Sequence, residues 1–346
     1  MGSSRRVTLA DVAERTGLSK TSVSLILNNR PGSRLSADAV LRVQAAAAEL
    51  GYRPDPAAQS LRLGKTRTIG FLSDEVTVTR FASAMIRGVL DTAEQREHTV
   101  LIAETGRDPQ KTAPALDAML ARRADGIIVG LMGAKEIDVP AIASGVRVVL
   151  LNASSPTGEP SILPDEESAG RAIARQLLDA GHRRITLIGD SHSAATDPRV
   201  SVTVGARFAG LDAALAEVGI NFLERVPVEP WEPVGGYEAM QKMLNGPEVP
   251  TGIICSNDRL AFGAYQALQE AGWRIPNDMS VVSFDDDEIA SYLRPGLTTA
   301  QIPYEEMGRH AVDLLLGGGE GRHLVPMPII IRGSVGAPRG TEGFTS

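Results

Sequence analysis

The chain carries one cysteine, Cys255, in 346 residues, so an internal disulfide and a cysteine-rich zinc site are both excluded. No stretch approaches the ~18 consecutive apolar residues of a membrane span. The first residues lack the apolar core of a signal peptide. His98, His182, His310 and His323 show no metal-ligand spacing, so neither a metal nor another cofactor is expected. Hydrophobic residues make up 43% and charged residues 22%, which excludes a disordered, collagen-like or disulfide-built chain. At ~100–200 residues per domain the length implies two or three domains. These absences predict a soluble, cytoplasmic protein with ordinary apolar cores and no contact with membrane.

Catalytic signatures are also missing. The acidic run Asp285, Asp286, Asp287, Glu288 at a strand end lacks the converging oxygens of a hard-cation site. Gly189-Asp190-Ser191-His192-Ser193 has serine where a nucleophile elbow needs its second glycine, and the order of a triad is absent. The stretch 317–322 (GGGEGR) has no GK[ST] ending and follows a helix rather than a strand. No enzyme is expected.

The net charge of −7 hides an asymmetry: residues 1–65 hold ten basic and five acidic groups, leaving −12 on the remainder. A basic N-terminal module on an acidic body suits a polyanion partner. Within it, Thr8 can cap a helix from Leu9 to Thr16, which Gly17 stops. Ser19 opens a second helix with Val23, Ile26 and Leu27 on one side. Ser36 opens a third, with Val40, Val43, Ala47 and Leu50 as its inner stripe and Gly51 as its end. Two short helices joined by a glycine-containing turn form a helix-turn-helix, whose second helix enters the major groove of DNA.

The stretches VTLADVAERTGLSKTSVSLILN and ELGYRPDPAAQSLRLGKTRTIGFL resemble the LacI/GalR family of transcriptional regulators, nearly continuously from Val7 to Leu72 and more loosely to about residue 335. The resemblance implies base-reading positions at Lys20, Thr21 and Leu25. Leucine at the third can make only an apolar contact, for example with a thymine methyl. It implies phosphate contacts from Thr8, Ser19, Ser22, Ser24, Asn28 and Arg62, which fix register without reading sequence. It further implies a hinge helix between Arg53 and Lys65. Asp55 can cap that helix, Pro56 can take its first position, and Leu61, with Ala58 a turn earlier, would wedge into the minor groove.

From Arg67 onward strands alternate with helices. Strands are expected at 68–72, 98–105, 125–131, 146–152, 183–190, 251–257 and 279–286. Helices are expected at 81–94, 114–122, 166–180, 204–218 and 258–271. This alternation predicts parallel, doubly wound α/β sheets in two units. The expected division is a helix-turn-helix domain (1–52), a hinge (53–66), a first lobe (67–164, with about 298–326 returning to it), a second lobe (165–297, with about 327–338) and a tail (339–346). The resemblance implies a periplasmic-binding-protein-like effector domain. Ligands of open α/β sheets bind beyond the carboxyl ends of strands, which nominates Asp74, Arg80, Phe81, Asn152, Thr203, Arg207, Trp231, Asn257 and Asp285. That set suits a polyhydroxylated ligand, a sugar or sugar derivative.

The expectation is therefore a homodimeric repressor that binds a pseudo-palindromic operator in double-stranded DNA and responds to a small, carbohydrate-like effector. Tetramerising members of the family carry a C-terminal leucine heptad and none follows Arg332, so the resemblance implies a dimer. The alternatives are a soluble sugar-binding protein and a regulator controlled by a protein co-regulator.

Overall fold

Asp11 closes the first helical turn of the chain: its carboxylate accepts hydrogen bonds from the backbone N–H and the hydroxyl of Thr8, at 2.7 and 2.8 Å. The helix it opens, α1 (Leu9–Thr16), ends at Gly17, whose φ of 69° is left-handed and suits glycine. Ser19 Oγ accepts from the Ser22 N–H ahead of α2 (Lys20–Leu27), and Ser36 Oγ accepts from Ala39 at the start of α3 (Ala37–Leu50). The three helices bury Val12, Ala13, Val23, Ile26, Ala39, Val43, Ala46 and Ala47. Val40 and Leu50, expected on the inner stripe of α3, pack at its margin, and Ala39 and Ala46 take the centre.

The computed structural model describes residues 7–27, 35–53, 64–75, 77, 80–106, 108–140, 142 and 145–339. Asn28, Ala58, Leu61 and Arg62 lie outside them, as does most of the expected tail. The chain divides into two compact units at Arg67/Thr68.

The second unit contains, among the described residues, two six-stranded sheets. The first is built from β1 (Thr68–Ser73), β2 (Thr99–Glu104), β3 (Gly126–Glu136), β4 (Arg147–Ser154), β5 (Ser161–Pro164) and β11 (Arg322–Val325). Its order is β11-β5-β4-β3-β1-β2 and all its pairings are parallel. The second holds β6 (Ile185–Asp190), β7 (Glu224–Pro227), β8 (Gly252–Cys255), β9 (Ser280–Asp285), β10 (Thr298–Gln301) and β12 (Ile329–Ile330). Its order is β12-β10-β9-β8-β6-β7, and β12 is antiparallel to β10. Central strands such as β1 are buried along nearly their whole length, as sheets covered by helices on both faces require.

Helices α4 (Arg80–Gln95), α5 (Thr112–Ala121) and α12 (Tyr304–Gly317) cover the first sheet; α6 (Glu166–Asp179), α8 (Val204–Glu217), α9 (Pro233–Leu244) and α10 (Asp258–Glu270) cover the second. Two short helices, α7 (His192–Thr196) and α11 (Glu288–Tyr292), sit after strand ends. Glycines let α6 and α8 touch. A Cβ on Gly210 would lie 2.0 Å from the Glu167 carbonyl oxygen, and one on Gly170 would lie 2.2 Å from that of Arg207. Any larger residue there would push the two helices apart.

The return to the first lobe differs from expectation. It was placed at about 298, but Thr298 to Gln301 pair with Val282 to Asp285 and complete the second sheet. The chain therefore recrosses at 302–303, enters the first lobe through α12 and β11, and comes back through β12. On one flank the end of β3, still paired with β4, clasps the second lobe: Glu136 N–H donates to the Pro198 carbonyl (2.7 Å) and Val202 N–H to that of Ala134 (2.8 Å). Arg199 adds an exposed ion pair to Asp138 at 2.8 Å.

Candidate functional site

In the N-terminal unit, packing Val23 and Ile26 inward leaves Lys20 and Thr21 exposed at the start of α2 and Leu25 half-buried. Leu25 is not among the residues of this unit's apolar core. The hydroxyls of Ser19 and Ser22 lie 2.9 Å apart at the helix N-terminus. The backbone N–H groups of a helix N-terminus and such hydroxyls present donors to an anion.

In the larger unit a cleft of about 630 Å³ opens between the lobes, lined by strand carboxyl ends and the loops after them. Five of the nine sequence-nominated effector residues line it: Asn152, Thr203, Arg207, Trp231 and Asp285. Asn152 lies two residues before the end of β4 with φ 55°, opposite an irregularity in the pairing with β3, and Asp285 ends β9 with φ 105°; such left-handed backbone breaks the regular strand at the cleft floor. Thr203 precedes α8 and Arg207 lies one turn into it.

Arg207 is the centre of the charge network. Its side chain is 4% exposed and that of Glu166, at the start of α6, is 2% exposed. Nε and Nη2 of Arg207 donate to the two Glu166 carboxylate oxygens at 2.7 and 2.6 Å, and Nη1 donates to the Ser256 carbonyl. Burial works against the guanidinium, but the Glu166 carboxylate more than compensates and raises its pKa. The close crossing of α6 and α8 brings this pair together. The guanidinium also stacks 4.3 Å from the Phe284 ring centroid and 5.9 Å from that of Trp231. Asp285 lies 3.9 Å from Nη2. Burial pushes its carboxyl up to about 6, with Arg207 pulling it down and the Glu166 and Asp287 charges pushing it further up.

Four nominated residues do not line the cleft as described. Asp74 faces a separate cavity of about 430 Å³; its carboxylate accepts from the N–H groups of Met132 (3.2 Å) and Glu75 (3.0 Å) and lies 3.6 Å from Lys135 Nζ. It therefore backs the cleft wall at Met132 instead of forming it. Phe81 stands behind Tyr304, with ring centroids 5.5 Å apart. Asn257 caps α10 by accepting from Leu260 N–H at 2.9 Å, and its amide donates to the Trp231 carbonyl at 3.2 Å. Its side chain is consumed in holding the tryptophan loop. Arg80 begins α4, and its side chain lies outside the description.

Sequence reasoning missed Glu166, Ser191, Ser193, Glu229 and Tyr304, all of which line the cleft. They follow β5, β6, β7 and β10, three of which are four-residue strands whose runs gave no strand signal. The hydroxyls of Ser191 and Ser193 donate to the Glu229 carboxylate and hold it below its usual pKa. The Tyr304 hydroxyl donates to the Met132 carbonyl at 3.4 Å, and burial pushes its pKa up.

A helix-turn-helix unit joined to two parallel-sheet lobes around a polar cleft defines a ligand-responsive DNA-binding regulator. A family model described as bacterial regulatory proteins, lacI family, matches residues 8–55, and one described as a periplasmic binding protein-like domain matches 174–335. The chain is 32% identical over 314 residues to the ribose operon repressor of Escherichia coli (strain K12), covering 89% of this chain and 92% of that protein. It is 30% identical over 315 residues to the HTH-type transcriptional repressor PurR of Haemophilus influenzae (strain PittEE), covering 89% and 90%. The crystal structure of the lac repressor dimer bound to operator and the anti-inducer ONPF matches with a TM-score of 0.75 at 30% identity, covering 96% of this chain and 100% of the other. The chain belongs to the LacI family; it is a transcriptional repressor of that family and not an enzyme.

Proposed function

We propose that two copies of the chain bind a pseudo-palindromic operator in the cytoplasm, and that a small polar effector in the interlobe cleft sets the strength of that binding. Lys20, Thr21 and Leu25 face base edges from α2, and Thr8, Ser19, Ser22, Ser24, Asn28 and Arg62 serve the phosphates. The observation that carries the effector half is the cleft itself: a cavity at the strand carboxyl ends of both sheets, with Asn152, Arg207, Asp285 and Trp231 on its walls. Polar side chains around an apolar ring face suit a polyhydroxylated, carbohydrate-like ligand. The ribose operon repressor is a relative at 32% identity, which favours that class. Because the two lobes meet at three chain crossings and the β3 clasp, a ligand bridging them biases one lobe arrangement over another. The change reaches DNA as a coupling free energy, typically about 1–3 kcal/mol.

The test is capture of genomic DNA fragments by the full-length protein, followed by gel shift at fixed salt. Wild type should select discrete sites with dyad symmetry. Leu61→Ala, at the position the family resemblance assigns to the minor-groove wedge, should weaken those sites at least tenfold while changing non-specific binding less than twofold. Equal losses on both kinds of DNA would contradict the wedge, and absence of any selected site would overturn the operator reading.

A further inference from the structure

Taking the cleft as the effector site, we propose that its occupant is a polyhydroxylated molecule bearing a basic amine, such as an amino sugar or amino polyol, and not a phosphorylated or carboxylated sugar. Among the described residues lining the cleft, the charged side chains are three carboxylates, Glu166, Glu229 and Asp285, against one guanidinium, Arg207. That guanidinium has three of its five N–H groups engaged and its positive charge matched by Glu166. All three of its nitrogens already donate, two to Glu166 and one to the Ser256 carbonyl. A phosphate or carboxylate entering the cleft would meet a surplus of negative charge and an arginine whose Nε–Nη2 edge is already filled by Glu166.

The unmet demand is for donors. Asp285 receives no hydrogen bond to its carboxylate from the described residues, and its nearest cation is Arg207 Nη2 at 3.9 Å. Asn152, 3% exposed, spends its amide N–H groups on the carbonyls of Leu131 and Met132. This fixes the amide orientation and leaves Oδ1 buried without a partner. A buried acceptor in that state favours a ligand that can donate to it. Glu229, held ionised by two serine hydroxyls, adds a second anionic acceptor. An ammonium supplies three donors and a positive charge together. The ring hydroxyls of the same molecule can accept from Ser201, whose Oγ already accepts from the Thr203 and Val204 N–H groups and so has only its proton to give. Trp231 offers a π-face to the cation or to the sugar's apolar side.

The test is calorimetric titration and thermal shift of the full chain against matched sets: hexosamines, pentosamines and amino polyols, their neutral parents, their N-acetyl derivatives, and the corresponding sugar phosphates and uronates. At least one amine should raise the melting temperature and bind at least tenfold more tightly than its parent and its N-acetyl form, with no shift from the phosphates or uronates. Asp285→Asn should bring amine and parent to equal affinity. Glu229→Gln, at an exposed position that tolerates change, should weaken the amine severalfold and serves if the first variant does not fold. A neutral or anionic sugar that binds more tightly than its matched amine, and loses that binding in Trp231→Ala, overturns the inference and leaves the effector cleft standing. Silence across the whole panel overturns both.

Discussion

The two walls of the cleft are chemically unlike. The first lobe contributes Met132, Gly133, Ala134, Asn152 and Tyr304, all uncharged, with their polar groups mostly turned back onto its own backbone. The second contributes every charged group lining the cleft among the described residues: Glu166, Arg207, Glu229 and Asp285. A rigid, charged wall can recognise a ligand in an open cleft, and a neutral wall can close over it without importing a charge that needs desolvation. The division of labour also explains why α6 and α8 cross at glycines: the charged wall must be assembled before any ligand arrives.

The largest effect that can break this contrast lies in the Arg207–Glu166 pair. Removing one partner of a buried ion pair strands the other and costs about 3–5 kcal/mol. Arg207→Met and Glu166→Gln should therefore each lower the melting temperature of the cleft unit by on the order of 10 °C, and the two substitutions combined should recover most of it. Thermal denaturation of the two single variants and the double variant measures this coupling. Near-additive losses would make the pair a surface-like contact instead of the frame of the site. A smaller effect is expected on the neutral wall. Asn152→Ala loses two hydrogen bonds and places alanine at a left-handed φ, a cost of about 1–3 kcal/mol, readable by chemical denaturation. A loss as large as that of Arg207→Met would erase the distinction between the walls.

The smallest effect is a pH dependence that belongs to the charged wall. Asp285 titrates at about 6 when folded against an ordinary 3.8, so the folded state holds its proton more tightly. The groups around it are Arg207, Glu166, Asp258, Asp287 and the neutral Tyr304. The stabilising contribution of the protonated carboxyl is full below pH about 4 and is lost as pH rises through about 6. Asp285→Asn should flatten that part of the stability profile. A profile unchanged by the substitution would place the titration elsewhere.

Much of the architecture was legible because buried parallel strands announce themselves as apolar runs: 68–72, 125–131 and 146–152 all coincide with strands, as do the N-terminal helices with their caps at Ser19 and Ser36. The post-strand rule then reached Asn152, Arg207 and Asp285. It could not reach Glu166, Glu229 or Tyr304, because β5, β7 and β10 are short or carry charge and so show no run. It also nominated Asp74 and Asn257, which are not among the residues lining the cavity, because a strand end says where a residue lies and not which way its hydrogen bonds go. In both cases a backbone partner nearby, Met132 and Leu260, outcompeted the cleft for the side chain. The pairing of Thr298 with Val282 is a long-range register that local pattern does not encode.

The most direct test joins the two units in one titration. Fluorescence anisotropy of a labelled, genomically selected operator should be measured with the full-length protein, with and without a saturating compound that raises its melting temperature. The account predicts a shift in operator affinity of about 5–150-fold, abolished in Trp231→Ala. Identical operator affinity in the two conditions, with the compound demonstrably bound, would contradict it.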